Sequence, residues 1–579
     1  MLALLLISAA IGTVDFDPAA PEARFTGQEA STQDGATQLW SAIERHRDPD
    51  TVLFAQEEFN WALAWPEQAD WAPWIATCFG TSQPDSGSFL LHLGTNESHA
   101  SGTPILLVPG AGDNASRAFV TLAHHLDGLG RPVYAVSFAH PHGDLYMQAE
   151  VVADAIARIT HRTGAERVDL VGHSKGGIAA AMYASNHGDA RWGDPDYDAR
   201  GTRYRDDVRR LVLLATPLGG LDTPYRWSVM NLSSLEDEAA VAPSSWSVHY
   251  PMGSTLPAIN TDLQRQDLLP DGGDLFPGQR QLLRAQDHPL PGSLPWLGTY
   301  AMQPDWWTTY YGGLGLLSWS EGLDAAVASA SDDDGRGLLD QLGDNGVDPA
   351  VEIHLLAGSN PLTVAGWEAW WATWFDQVWL DIGTAGTEQW ASMLSEAMGQ
   401  GLLPDGLSDS DLQGLASSKL VLGEVSGPSD GLLFTDSALM STTLTGRGAR
   451  VAGQHTADLG HLDLLYASPV TGQLMLDEAS ASPVESGWMQ SLGERYVAED
   501  SIGWIEAALA DDPGALPDTG DTGDTGAWQQ DSDTPEGQDT GQDGTGSCGC
   551  QPGTLAFPFF PSLLALATLW VRRRDEKPS

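Results

Sequence analysis

Val171-Gly172-His173-Ser174-Lys175-Gly176-Gly177 lies between an apolar run and a run of small residues, and its reading decides the fold. Upstream, Arg167-Val168-Asp169-Leu170-Val171 has the length and apolar content of a short buried strand. Downstream, Ile178-Ala179-Ala180-Ala181-Met182-Tyr183-Ala184 reads as a helix. A Gly-x-Ser-x-Gly pentapeptide in that setting is a sharp strand-to-helix turn. Gly172 and Gly176 remove Cβ atoms where strand and helix approach, so Ser174 can take a strained backbone conformation with its hydroxyl at the carboxyl edge of a sheet. Ser174 is therefore a candidate nucleophile. In a chain with 64 glycines the pentapeptide alone is a weak signal, and its flanks carry the assignment.

A hydroxyl is a poor nucleophile near neutral pH, so this reading requires an imidazole base, a carboxylate to orient it and donors for a developing oxyanion. Pro104-Ile105-Leu106-Leu107-Val108-Pro109-Gly110-Ala111-Gly112-Asp113-Asn114 is an apolar strand entering a Gly-rich loop, with a helix expected over 116–129. The backbone N–H groups of Ala111 and of Lys175, the residue after the serine, are the candidate oxyanion donors. The Lys175 side chain reads as a solvated charge. For the acid, Asp430 lies in Ser426-Gly427-Pro428-Ser429-Asp430-Gly431, beyond the strand-like Val421-Leu422-Gly423-Glu424-Val425. Asp436 competes, although Thr435-Asp436-Ser437 reads more simply as a helix N-terminal cap. Of 15 histidines, His461 is the best placed base, in a loop (458–465) entering an apolar helix after the strand-like Ala449-Arg450-Val451-Ala452. His455 is its rival, and Asp463 is a second carboxylate able to anchor a neighbouring loop. His173 is set aside as a base because a ring next to the nucleophile on the elbow points elsewhere.

The chain order Ser174, Asp430, His461 differs from the orders of chymotrypsin- and subtilisin-type proteases and is that of α/β-hydrolases. From about 104 to 466 the sequence resembles the α/β-hydrolase superfamily, and within it bacterial secreted triacylglycerol lipases and esterases. The resemblance rests on Leu107-Val108-Pro109-Gly110, Gly172-His173-Ser174-Lys175-Gly176-Gly177, Ser429-Asp430-Gly431 and Gly460-His461-Leu462-Asp463, in that order. Lys175, where many lipases carry Gln or Met, and the long segment between elbow and acid are departures. The resemblance implies an α/β fold: a mainly parallel sheet covered by helices on both faces. It also implies a serine hydrolase acting on an ester or lipid substrate through an acyl-enzyme, with no metal and no cofactor. Acyl transfer or amide cleavage on the same residues, or a non-catalytic surface-binding protein on the same scaffold, are the alternatives.

Along the chain, 1–12 reads as a secretory signal and 13–510 as the hydrolase domain. Within the latter, 13–100 is expected to supply helical packing and the sheet's first strand, Phe89-Leu90-Leu91-His92-Leu93. Residues 101–222 alternate strands and helices, the pattern of a parallel sheet. The segment 223–420 is a Trp-rich cap or lid insertion that includes Trp227, Trp306, Trp367, Trp370 and Trp374 and holds an expected core strand near 351–356. Asp332-Asp333-Asp334-Gly335 fails as a calcium loop because Ala330 and Gln341 would occupy essential ligand positions.

After 510 the composition shifts. Residues 511–550 form an acidic low-complexity linker with repeated Asp-Thr-Gly, and 551–579 form a hydrophobic anchor or sorting tail ending in Arg572-Arg573-Arg574. Cys548-Gly549-Cys550 ahead of it resembles the C-terminal sorting tails of myxobacterial surface proteins, which implies export, a membrane contact through the tail and a place on the cell surface, or release after processing of the tail. With Cys78 the only other cysteine, the folded part is not a disulfide scaffold. A net charge of −50 disfavours nucleic acid as a partner; oligomeric state is left open.

Overall fold

The computed structural model describes residues 16–26, 29–32, 35–38, 40–48, 77–95, 100–222, 277–286, 334–359, 432–481 and 486–510, with Leu323, 327–328, 330–332, Ser429 and Asp430 besides. All belong to the compact unit Met1–Thr519. The expected signal (1–12), most of the cap, the strand at 421–425, the linker and the tail lie outside the described residues. Among the described residues no helix is long and apolar enough to cross a membrane.

Eleven strands are described: β1 (Ala23–Thr26), β2 (Glu29–Thr32), β3 (Gly35–Gln38), β4 (Ala42–Arg47), β5 (Ser88–Leu93), β6 (Ile105–Val108), β7 (Val133–Phe138), β8 (Val168–His173), β9 (Val208–Leu214), β10 (Glu352–Gly358) and β11 (Arg450–Ala457). Nine form one sheet in the order β1-β4-β5-β7-β6-β8-β9-β10-β11, and β2 pairs with β3 in a separate ladder. Strands β1, β4, β5 and β7 pair antiparallel; from β7 through β6 to β11 every pairing is parallel. Parallel strands that run as continuous apolar segments must be covered on both faces. They are: Leu106, Tyr134, Val136, Leu211 and Leu213 join one core with the helices Leu145–Thr163, Lys175–Ala184 and Leu338–Asn345. Their neighbours Ile105, Leu107, Val133, Ala135, Val212 and Leu214 join the other, with Val120–Asp127 and Ser501–Leu509. The period-2 alternation of the strands thus divides the interior into two cores.

Two expectations change in detail. The helix expected over 116–129 is two pieces, Ala115–Ala118 and Val120–Asp127, parted at Phe119 with φ −116° and ψ 19°. The 13–100 segment supplies not one strand but β1, β4 and β5 to the sheet, and it also contains the separate β2–β3 ladder. The charged pattern of β4, Ala42-Ile43-Glu44-Arg45-His46-Arg47, conceals a buried strand, because Glu44 is fully enclosed. It accepts from Arg158 Nε at 2.8 Å and Nη2 at 3.0 Å, from Arg24 Nη1 at 2.8 Å, and pairs with His46 Nε2 at 3.3 Å. Burial alone would raise the Glu44 carboxyl; the bonds from His46 and Arg158 outweigh it and hold the group at about 2.

Because the folded carboxyl lies below its ordinary 4.5, its contribution to stability is present above that pH and is lost as pH falls from 4.5 through about 2. Glu44→Gln, which leaves the Arg158 guanidinium buried without its anion, is expected to cost about 3–5 kcal/mol in urea denaturation at pH 7. The difference between variant and wild type should shrink on acidification through that window. A variant as stable as wild type at pH 7 would contradict this account.

Candidate active site

Ser174 stands between β8 and the helix Lys175–Ala184 with φ 52° and ψ −130°, a conformation outside the usual range of any residue with a side chain. Its N–H still donates to Leu214 O at 2.8 Å, so the strand ladder runs up to the turn before the chain reverses into the helix. The glycines around it are required by contact. A Cβ on Gly172 would lie 2.5 Å from Gly177 Cα. One on Gly176 would run into the Pro109 carbonyl, and one on Gly177 into the Thr216 side chain. On the loop after β6, a Cβ on Gly110 would stand 3.0 Å from Ser174 Cβ, so the Pro109–Gly112 turn presses directly on the serine. Ala111 is buried in that turn, and its N–H has no partner among the described residues. Lys175 opens the helix, where the first amides have no acceptor within it and the dipole is positive.

Asp430 is buried at the carboxyl end of β10, although it is distant from that strand in sequence. A Cβ on Gly358 would come within 2.7 Å of Asp430 Cβ, and Thr435 Oγ1 donates to Gly358 O at 2.7 Å. Its Oδ1 accepts from Leu432 N at 2.9 Å and Leu433 N at 2.8 Å, which fixes the carboxylate and leaves Oδ2 for His461 Nδ1 at 2.7 Å. The backbone repeats the link, with His461 N donating to Asp430 O at 2.9 Å. A carboxylate accepting from Nδ1–H places the proton there and leaves the Nε2 lone pair outward, the tautomer a base needs. His461 lies against the elbow: its ring centroid is 4.8 Å from that of His173, the residue before Ser174. No hydrogen bond joins the Ser174 hydroxyl to His461 among the described residues.

The competing residues have other places. Asp436 is exposed in the first turn of the helix Thr435–Ala438, whose N-cap is Phe434 without a side-chain cap bond, so Thr435-Asp436-Ser437 is the helix itself rather than its cap. His455 stacks on Trp504 at 6.1 Å. Asp463 braces the loop that carries His461, accepting from Gly460 N at 3.1 Å and Tyr496 Oη at 2.7 Å. The loop enters a 3-10 turn, Asp463–Leu465, in place of the expected helix.

A further expectation is overturned. The Lys175 side chain is not a solvated charge: the residue is 1% exposed, and its Nζ donates to Gly143 O at 2.6 Å and to Gln148 Oε1. Its stem runs from the buried helix start to the loop after β7, where Gln148 Nε2 also holds His140 O at 3.1 Å. Gly278 packs onto it so closely that any side chain there would overlap Lys175 Cε, while Gly278 N donates to His142 O at 3.1 Å. The ammonium thus ties the helix start to the 140–143 loop and to Gln148, and its stem packs against Gly278 of the helix Pro277–Arg280.

No protein-family model matches the sequence, and no curated protein matches it. Solved structures similar to it include the Bacillus licheniformis lipase BlEst2. Its mature form is 14% identical over 68% of this chain and 97% of that chain, TM-score 0.28, and its propeptide form 14% over 65% and 50%, TM-score 0.27. A candidate lipase from Sulfolobus solfataricus is 19% identical over 23% of this chain and 41% of that chain, TM-score 0.18. The chain therefore spans half or less of the Sulfolobus protein and of the propeptide form, and likenesses at these scores add no argument to the geometry above.

Lys175→Met keeps the stem and removes the donor to Gly143 O and Gln148 Oε1, so urea denaturation is expected to show a loss of about 1–3 kcal/mol. Unchanged stability would mean that the buried ammonium contributes nothing net. The sheet order, its cover of helices on both faces and the elbow at Ser174 show that this chain has an α/β-hydrolase fold.

Proposed function

We propose that this chain is a serine hydrolase of lipase or esterase type, cleaving carboxylic esters through an acyl-enzyme. The observation that carries the reading is the Asp430–His461 hydrogen bond of 2.7 Å, seated beside a serine held in a strained elbow. In the proposed mechanism Ser174 Oγ attacks the ester carbonyl while His461 Nε2 takes its proton, and Asp430 keeps the imidazole oriented and balances its charge. The N–H groups of Ala111 and Lys175 receive the oxyanion, the first from the turn pressed on Ser174, the second from the positive end of a helix. The imidazolium returns the proton to the leaving alkoxide, and water, activated by the same imidazole, releases the acid. The serine-to-imidazole bond is commonly long in a resting site and closes when substrate fills it.

Nothing in these steps calls for a metal or an organic cofactor. Export and attachment through the 551–579 tail belong to the same proposal and are supported by sequence alone. Transfer of the acyl group to an alcohol, or amide cleavage, would use the same residues and would appear as different products in the assay below.

A panel of esters of increasing acyl length, assayed on wild type and variants, tests the reading. Ser174→Ala is expected to lose at least about 10⁴-fold in kcat/KM, and Asp430→Asn about 10³–10⁴-fold because the imidazole then favours the wrong tautomer. Turnover by Ser174→Ala equal to that of wild type rejects the mechanism.

A further inference from the structure

Position excludes His173 as a base, yet its ring is in contact with the base. The residue is 2% exposed, its ring centroid lies 4.8 Å from that of His461, and its Nε2 is 3.1 Å from the His461 carbonyl oxygen. Burial, and then the proximity of His461, push its pKa well below the ordinary histidine value, so the ring is neutral. A neutral imidazole carries one proton, and only an N–H can bond a carbonyl; the proton is therefore on Nε2. Nδ1 is left as an acceptor, buried without a hydrogen-bond partner among the described residues and 3.1 Å from where a Gly110 Cβ would stand.

Residue 461 is consequently held from three sides. Its N–H goes to Asp430 O, its Nδ1 to Asp430 Oδ2, and its carbonyl receives the His173 donor. The first two bonds relate the imidazole to the acid alone. Only the third relates it to the elbow, because His173 is covalently the neighbour of Ser174. We propose that His173 is a positioning residue, whose Nε2–H bond to the His461 carbonyl sets the base relative to the serine hydroxyl. This rests on the assignment of Ser174 and His461 as nucleophile and base. A ring that stays neutral also spares the imidazolium formed during attack a second cation at its side.

The test uses the full chain with His173→Leu, which keeps bulk without a donor, and His173→Gln, whose amide N–H falls close to the place of Nε2. Steady-state hydrolysis of p-nitrophenyl butyrate, the rate of labelling by a fluorophosphonate and thermal melting are measured on each. His173→Leu is expected to lower kcat and the labelling rate about 10-fold, with KM within about 2-fold, and His173→Gln to restore most of the loss. A folded Leu variant with wild-type kcat and labelling rate, or Gln and Leu variants equally impaired, overturns the inference. Should the Leu variant not fold, His173→Asn replaces it, its amide being too short to reach the carbonyl. Asn slower than Gln supports the bond, and equal rates refute it. Wild type inert to both ester and fluorophosphonate defeats the hydrolase reading and this inference with it. An active wild type with an unaffected Leu variant defeats the inference alone.

Discussion

A serine with φ 52° is the constraint on which the rest of the site depends. Such a backbone conformation costs on the order of 1–3 kcal/mol and persists only where the surroundings over-determine it. Here they do so by contact: Gly172 meets Gly177, Gly176 meets the Pro109 carbonyl, Gly177 meets Thr216, and Gly110 covers the serine itself. Each contact needs a missing Cβ, and together they hold the elbow against the ends of β6 and β9. The strain is thus supported by two interlocked cores, and the hydroxyl is fixed at the carboxyl edge of β8 before any partner is added.

The partners arrive on loops beyond other strand ends. Asp430 is seated on the last residue of β10 and has one oxygen occupied by two backbone amides, so the other can serve only the imidazole. His461 follows β11 on a loop braced by Asp463, Gly460 and Tyr496. The two residues flanking the serine point into the protein in different directions: His173 toward the base loop and Lys175 toward the 140–143 loop and the 277–280 turn. A neutral ring on one side and a buried ammonium on the other join the elbow to the His461 loop and to the 140–143 loop.

How much of this was legible in sequence follows from how local each cause is. The elbow could be read because its glycines, serine and flanking apolar runs are contiguous, and β6 to β10 because each buried parallel strand carries a run of apolar residues. The pairing of Asp430 with His461 could be anticipated from turn residues and chain order. Strand β4 could not be read, since Glu44 imitates a surface position and only Arg158, Arg24 and His46 from elsewhere explain its burial. Lys175 failed for the same reason: a lysine at a helix start reads as solvated until Gly143, Gln148 and Gly278 are placed around it. The His173 contact needs the base loop to be folded against β8, and no spacing in the sequence encodes it.

The proposed mechanism requires a serine, an imidazole and two backbone donors to converge on one point. A crystal structure of the full chain after reaction with a fluorophosphonate measures this directly. The account predicts phosphorus bonded to Ser174 Oγ, its oxygen about 3 Å from the N–H groups of Ala111 and Lys175, and His461 Nε2 within hydrogen-bonding reach of an oxygen on the adduct. An adduct on another residue, or a phosphoryl oxygen turned away from both amides, contradicts it.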